Sequence, residues 1–363
     1  RQSLRPIASR RLESVFCGRK ALENCFVFRG EMENHALKGL ADSMRYSLLD
    51  AERDYDENAF SSFYFNGSAY SQTNRTHSLV GEINSQFSDK LYNELRIGYT
   101  TSEDSRHSDI SLPFVTVKNM GSNSNTSIMI GTNPFVIADG DKHHFTFTDN
   151  FTYYHGNHSI TIGTSNEIFR IYNRFISNST GSYVYNSMDD FLADKAASYA
   201  YNYTDIDSKG SPVWGPTMTA GQFSLYVQDR WRVTDRFTLT YGLRADLPIV
   251  FYDPTVNSDF NNSIYAQQAD AYTGTVPQRR VMLSPRVGFN WYTDDSHRTL
   301  LRGGVGIFTG QSPFVWMSNT FQNNGIDMKG QTLLSNVPAF SITPTITGAT
   351  PNPSINVMDK GYR

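Results

Sequence analysis

The segment Leu301-Arg-Gly-Gly-Val-Gly-Ile-Phe-Thr-Gly310 gathers Gly303, Gly304, Gly306 and Gly310, and glycine is what phosphate-cradling loops are built from. Its spacing gives neither GxGxxG nor GxxxxGK with a following Ser or Thr, and no helical pattern succeeds it. Glycines on a strand, leaving bare backbone for neighbouring aromatics to pack over, fit better. His143-His144 and the pair His155 and His158 carry imidazoles of the kind that coordinate metals, but no carboxylate or thiol stands at ligand spacing from them. Cys17 and Cys25 supply fewer groups than a disulfide scaffold or a zinc site requires, and read as incidental. No Ser/His/Asp or Cys/His arrangement follows from spacing, and no paired carboxylates stand out. The expectation is a chain that is not an enzyme, with no catalytic, cofactor-binding or metal-binding residue, and with its ligand-binding residues unassigned.

The pattern that does organise the chain is structural. Across Phe223–Leu247 the odd positions read Phe223, Leu225, Val227, Asp229, Trp231, then Phe237, Leu239, Tyr241, Leu243, while the even positions are mostly Ser, Thr, Gln and Arg. This is period-2 alternation in two runs broken at Thr234-Asp235-Arg236. A turn centred on Asp235 sets Trp231 against Leu239 and Val227 against Leu243, so both apolar sets share one face. Eleven tilted residues rise roughly 28 Å, the height of an outer-membrane apolar band. Composition agrees: 24 Phe, 21 Tyr and 4 Trp stand against only 18% charged residues, so aromatics outweigh what a solvated surface needs. No apolar run is long enough for a membrane-crossing helix, and alternating strands escape a hydropathy average of −0.45. A net charge of −3 points to no nucleic-acid partner.

Three further hairpins repeat the pattern. Leu79, Ile83 and Phe87 turn at Ser88-Asp89-Lys90 into Leu91, Leu95, Ile97 and Tyr99. Phe145, Phe147, Phe151 and Tyr153 turn at Gly156-Asn157, where pairing His155 with His158 sets Tyr153 against Ile160 and Phe151 against Ile162. Val287, Phe289 and Trp291 turn around Asp294-Asp295-Ser296 into Leu301, Val305 and Ile307. With a strand from Met44, this makes about nine strands of an antiparallel transmembrane β-barrel, an all-β fold not closed by itself. Long polar segments at 101–142, 173–220 and 248–280 are the expected extracellular loops and the short turns the periplasmic ones. An acidic loop spans Asp50 to Asn58. Ser187 begins a short loop helix, with Asp189 and Asp190 at its positive end. The proline-rich stretch 310–363 reads as a long loop or lumenal segment with a strand over Ile355 to Tyr362. Residues 1–38 form a basic leader, disordered or artefactual, with a weak helical pattern over Leu22 to Leu40; residues 39–363 form the barrel. Trp231, Tyr241, Trp291 and Tyr99 suit an aromatic girdle, and Asp229, awkward in the lipid-facing set, is expected at the periplasmic boundary near Trp231. Trp214, Tyr252, Phe314 and Trp316 are loop or lumen aromatics that either touch a ligand or pack loop on loop. Asn-x-Ser/Thr sequons at Asn66, Asn74, Asn125, Asn157, Asn178, Asn202 and Asn261 are what chance produces in an Asn/Ser/Thr-rich barrel.

Tyr226-Val-Gln-Asp-Arg-Trp231 with Leu239-Thr-Tyr-Gly-Leu-Arg244 resembles the barrel of TonB-dependent outer-membrane receptors. Leu283-Ser-Pro-Arg-Val-Gly-Phe-Asn-Trp291, the glycine segment 301–310 and Pro313-Phe-Val-Trp-Met-Ser-Asn319 extend the match towards the Oar-like Bacteroidetes branch, which carries a carboxypeptidase-regulatory-like domain. The resemblance covers roughly 41–363. It implies a bacterial outer-membrane receptor, a barrel of about 22 strands with an internal plug, contact with outer-membrane lipid, and coupling to the TonB energising complex through a TonB box in the full-length protein. It also implies capture of a scarce small ligand such as a siderophore, glycan, peptide or vitamin. Neither plug nor TonB box is recognisable here, so a barrel fragment is expected, one that exposes two sheet edges and aggregates alone. A passive porin or surface-display barrel, and a soluble secreted glycan-binding β-sandwich, are the alternatives.

Overall fold

Period-2 sequences can satisfy their backbone only through neighbours, and nearly every long run described above finds one. The computed structural model describes residues 21–30, 41–55, 62–65, 68–120, 126–310, 314–347, 350–351 and 354–362. First come β1 (Ala21–Gly30), β2 (Ala41–Tyr55), β3 (Ser62–Tyr64), β4 (Tyr70–Ser88) and β5 (Leu91–His107). Then follow β6 (Phe114–Val117), β7 (Ser127–Ile130), β8 (Ala138–His155), β9 (His158–Phe175), β10 (Ser182–Tyr185), α1 (Met188–Leu192), β11 (Ser198–Thr204) and α2 (Ile206–Lys209). Next are β12 (Thr217–Arg232), β13 (Phe237–Val250), α3 (Ser258–Asn261), α4 (Ile264–Ala269), β14 (Ala271–Tyr272), β15 (Met282–Tyr292) and β16 (Leu300–Gly306). Last are α5 (Phe314–Gln322), β17 (Met328–Leu333), β18 (Thr350–Pro351) and β19 (Met358–Asp359).

Ten of these strands form the wall, an antiparallel meander in the order β1-β2-β4-β5-β8-β9-β12-β13-β15-β16 that does not close on itself. The registers fall where turn length and apolar pattern require: Trp231 opposes Leu239, Val227 opposes Leu243, His155 opposes His158, and Phe151 opposes Ile162. One hairpin needs an irregularity, since the β4–β5 register shifts between Gln86 and Ser88 and leaves Phe87 in the bulge. At the β8–β9 turn Gly156 takes φ +57°, a left-handed conformation that glycine adopts without steric cost. One face of the wall is apolar and exposed, carrying Leu79, Ile97, Tyr99, Phe151, Ile162, Leu225, Val227, Leu243, Val287, Trp291 and Val305. The opposite face is polar, which is the outward-apolar, inward-polar division of a membrane barrel.

The structure changes the sequence expectations at several places. The wall has ten strands because Ala21–Gly30 pairs along its whole length with β2, so the helical pattern expected over Leu22 to Leu40 gives way where an open antiparallel partner is available. The rest of residues 1–38, including Cys17, lies outside the described residues. β2 runs from Ala41 to Tyr55 and takes in much of the acidic stretch expected as loop, since β4 continues beside it to Tyr70. Strands β4, β5, β8 and β9 hold 17 to 19 residues, longer than a membrane band of about 25 Å requires, and their loop ends project beyond it.

The largest difference lies in the loops. Segments read as irregular contribute a second sheet of seven strands, β18-β17-β11-β10-β6-β7-β3, in which β6 runs parallel to β10 and β3 parallel to β7. Only Met358–Asp359, paired with β14, is strand within the expected Ile355–Tyr362. The short helix begins where expected: Ser187 caps α1 by accepting from the Asp190 amide at 3.1 Å, with Asp189 and Asp190 in its first turn.

Candidate functional site

The polar inner wall and the loop layer that meets it are the parts of this fold able to recognise a solute. On the inner wall, alternation brings Ser224 and Asp246 opposite each other on β12 and β13. Ser224 Oγ donates to Asp246 Oδ1 at 2.6 Å, Arg244 Nε donates to both Asp246 oxygens at 2.9 and 3.1 Å, and Gln222 Nε2 donates to Oδ1 at 3.2 Å. Asp246 is therefore a buried carboxylate with every neighbour donating to it, the condition under which burial of charge is tolerated. Below it the Tyr226 hydroxyl donates to Asn150 Oδ1, and the Arg244 guanidinium stands over the Tyr226 ring at 5.4 Å. A side-chain carbon at Gly163 would lie 2.4 Å from that Asn150 oxygen and 2.6 Å from the Tyr226 ring, so only glycine leaves room for the contact. On β8 and β9, His144 faces Glu167 at 3.5 Å and stacks on Phe169 at 4.3 Å.

Towards the loop end the inner wall turns apolar. Met218, Ala220 and Val250 form a buried cluster with Met317 and Phe321 of α5, and Asn173 Nδ2 donates to Ser318 Oγ at 3.0 Å. The proline-rich stretch 310–363 is thus in part lumenal, as expected, but through a helix that the sequence does not announce. Nine residues are too few for a stable isolated helix, and packing on the wall supplies what propensity does not.

The loop sheet has its own core, made largely of tyrosine: Tyr183, Tyr185, Tyr199, Tyr201 and Tyr203 with Val115 and Val117. Tyr183 and Tyr199 pack at 4.6 Å, and Tyr201 stacks on Tyr203 at 5.0 Å. Burial pushes the Tyr199 phenol up to about 12, even though its oxygen accepts a 2.9 Å bond from the Thr345 amide. Burial raises Tyr185 as well, helped by its 3.0 Å bond to Asp194. The signal for this core was present in sequence as Tyr-Val-Tyr at 183–185 and Tyr-Ala-Tyr-Asn-Tyr at 199–203, period-2 runs hidden inside polar loops.

One carboxylate joins the separate loops. Asp327, 3% exposed, receives Lys209 Nζ at 3.0 Å, Thr255 Oγ1 at 3.0 Å and Asn324 Nδ2 at 2.7 Å. The Asn324 carbonyl accepts from Asn257 Nδ2 at 3.0 Å, and Asn257 in turn bonds Thr273. Beside this hub Lys329 stands 2.8 Å from Asp205 and holds that carboxyl below the usual carboxylate range.

The residues singled out from sequence occupy distinct places. Trp214 is packed loop on loop, under the Lys209 ammonium at 4.2 Å and with its carbonyl accepting from Gln322. Tyr252 and Trp316 are 64% and 74% exposed, open at the loop surface, and the Phe314 side chain lies outside the described residues. Tyr99, Tyr241 and Trp291 lie on the outward face. Asp229 sits three residues from the end of β12, one outward position from Trp231, with Oδ2 held by His158 Nδ1 at 2.7 Å and Tyr241 OH at 2.9 Å. The His158 ring stacks on Trp231 at 5.3 Å, so the awkward carboxylate is covered by its neighbours. His143 bonds Tyr99 and Asp141, and among the described residues no group of three or more His, Cys, Asp or Glu is placed to hold a metal ion. Gly303 lies under the Phe289 ring, whose carbons come within 3.1 Å of where a side chain would start, as expected for strand glycines. Asn157 is in the β8–β9 turn, while Asn66 and Asn125 lie outside the described residues.

Comparison with known proteins agrees with this architecture. Residues 41–362 match the family described as outer membrane beta barrel domain. No curated protein sequence matches the chain. Among solved structures, the outer membrane transporter YddB from Escherichia coli superposes with a TM-score of 0.52 at 14% identity, over 86% of this chain and 36% of that one. The copper transporter OprC aligns with a TM-score of 0.39 at 13% identity, over 80% of this chain and 42% of its own. The chain therefore spans well under half the length of either transporter.

Proposed function

The chain belongs to the family of outer membrane beta barrel domains and lies in the outer membrane, and from that premise we propose that it is wall and extracellular cap of a TonB-coupled receptor that imports a scarce nutrient. The observation that carries the reading is the protein-covered inner wall. Helix α5 packs on Met218, Ala220 and Val250 inside the wall, so a solute crossing there must displace protein, and an energy source answers that need. The run Tyr226-Val-Gln-Asp-Arg-Trp231 with Tyr241-Gly-Leu-Arg244 supports the same reading by resemblance to TonB-dependent receptors of the Oar-like type. The substrate falls among siderophores, glycans, peptides or vitamins, and no catalytic step is assigned to any residue. A soluble glycan-binding sandwich is set aside by the outer-membrane location.

The test is uptake by cells expressing the full-length protein, with and without the TonB energising complex. Uptake abolished by its deletion is the expected result. Uptake that continues at the same rate would make the barrel a passive porin and end the proposal.

A further inference from the structure

The inner wall divides by charge in a way that the transport reading does not use. On β4 and β5 the inward carboxylates Glu82 and Glu94 both pair with Arg96, at 3.0 and 2.9 Å. From β8 across to β16, the inward positions of the three rows nearest the turns carry Arg230, Arg232, Arg286 and Arg302 and no carboxylate. All four are exposed, and among the described residues none makes a side-chain hydrogen bond or ion pair; Arg286 only stands over the Phe308 ring at 4.6 Å. Four guanidiniums on a concave wall without counter-charge make a positive field that concentrates anions.

The same rows hold a trough of about 470 Å³ lined by Gly242, Gly288, Gly304 and Gly306, with Arg286 and Phe308 also lining it. That volume suits a small molecule. Side chains are excluded from it by the backbone itself: a side-chain carbon at Gly242 would come 2.7 Å from the Val227 carbonyl oxygen, and one at Gly304 2.9 Å from that of Val287. Bare strand backbone presents a flat surface, and the exposed Phe308 ring presents another. A flat ring or planar apolar body can lie on such surfaces while arginine forks take its oxyanions bidentately.

We propose that this glycine-floored trough with Arg286, Arg302 and Arg230 is a binding site for a small planar solute bearing carboxylate or phosphate groups. The proposal rests on the transport reading and narrows its substrate class to anions.

The probe is benzene-1,3,5-tricarboxylate, titrated calorimetrically into the full-length protein in detergent, beside the neutral 1,3,5-tris(hydroxymethyl)benzene. The tricarboxylate is expected to bind and the neutral triol not to. R286Q/R302Q is expected to weaken binding by about a hundredfold, roughly tenfold for each guanidinium removed from the anion, while R286K/R302K keeps most of it. Because neither arginine has a carboxylate partner, both variants should retain native resistance to heat in gel mobility. The native protein alone supplies a second measure, since the affinity should fall as salt rises from low to physiological strength. Equal affinity for the triol, an undiminished R286Q/R302Q, or salt-independent binding would each overturn the site. Uptake that ignores the energising complex would overturn the transport reading and leave the anion site standing.

Discussion

Removing the Asp327 carboxylate should release the loop layer while leaving the wall intact. Asp327 is 3% exposed and ties three partners from separate segments: Lys209 of α2, Thr255 after β13, and Asn324 before β17. In Asp327→Ala the Lys209 ammonium, its side chain only 19% exposed, loses its counter-charge, and breaking such a buried pair costs about 3–5 kcal/mol. Lys209 still faces the Trp214 ring at 4.2 Å, which recovers part of that, so about 3 kcal/mol is expected. Since about 1.4 kcal/mol is tenfold, amide exchange in α2, β11 and β17 should accelerate by roughly a hundredfold. Strands β8 and β9, which pair over their whole length, should exchange at native rates. Asp327→Asn keeps a side chain that can still accept from Thr255 and Asn324, and should fall between. Exchange mass spectrometry of the full-length protein in detergent reads all three. If Asp327→Ala changes loop protection by less than about threefold, the loops are held by the tyrosine core and not by this hub.

Two further outcomes follow from the structure. Tyr199, pushed up to about 12 by burial, favours the neutral phenol in the fold, so its contribution to stability is complete below its ordinary pKa of about 10 and is lost as pH rises from there to about 12. Tyrosinate absorbance should show a late phase, shared with buried neighbours such as Tyr185, that Tyr199→Phe diminishes by one phenol, and a single step near pH 10 for all 21 tyrosines would contradict it. Gly242→Ala places a carbon 2.7 Å from the Val227 carbonyl oxygen, which must shift β12, whereas a carbon at Gly81 meets nothing within 4 Å. Heat-modifiable gel mobility should show Gly242→Ala destabilised by about 1–3 kcal/mol and Gly81→Ala within about 0.5 kcal/mol of native; equal behaviour would refute the close-backbone account.

The wall was legible in the sequence. A strand's side chains alternate with period two, and a short turn fixes which residues meet, so apolar spacing within some thirty residues suffices to place Trp231 opposite Leu239 and His155 opposite His158. The Ser187 cap is local in the same sense. Other features depend on partners far along the chain and emerge only in three dimensions. Tyr183 and Tyr199 become a core because β6 runs parallel to β10 and β17 closes against β11, pairings that no turn specifies. Helix α5 exists where the inner wall offers Met218 and Val250 to bury Met317. Asp229, legible only as an anomaly, has its Oδ2 held by His158 at a separation of 71 residues. The trough beside Arg286 is likewise a sum over four strands, with Gln228, Gly242, Gly288 and Gly304 each unremarkable in its own hairpin. Local spacing carries geometry only as far as the next turn, and beyond that burial and charge are set by which strands the sheet brings side by side.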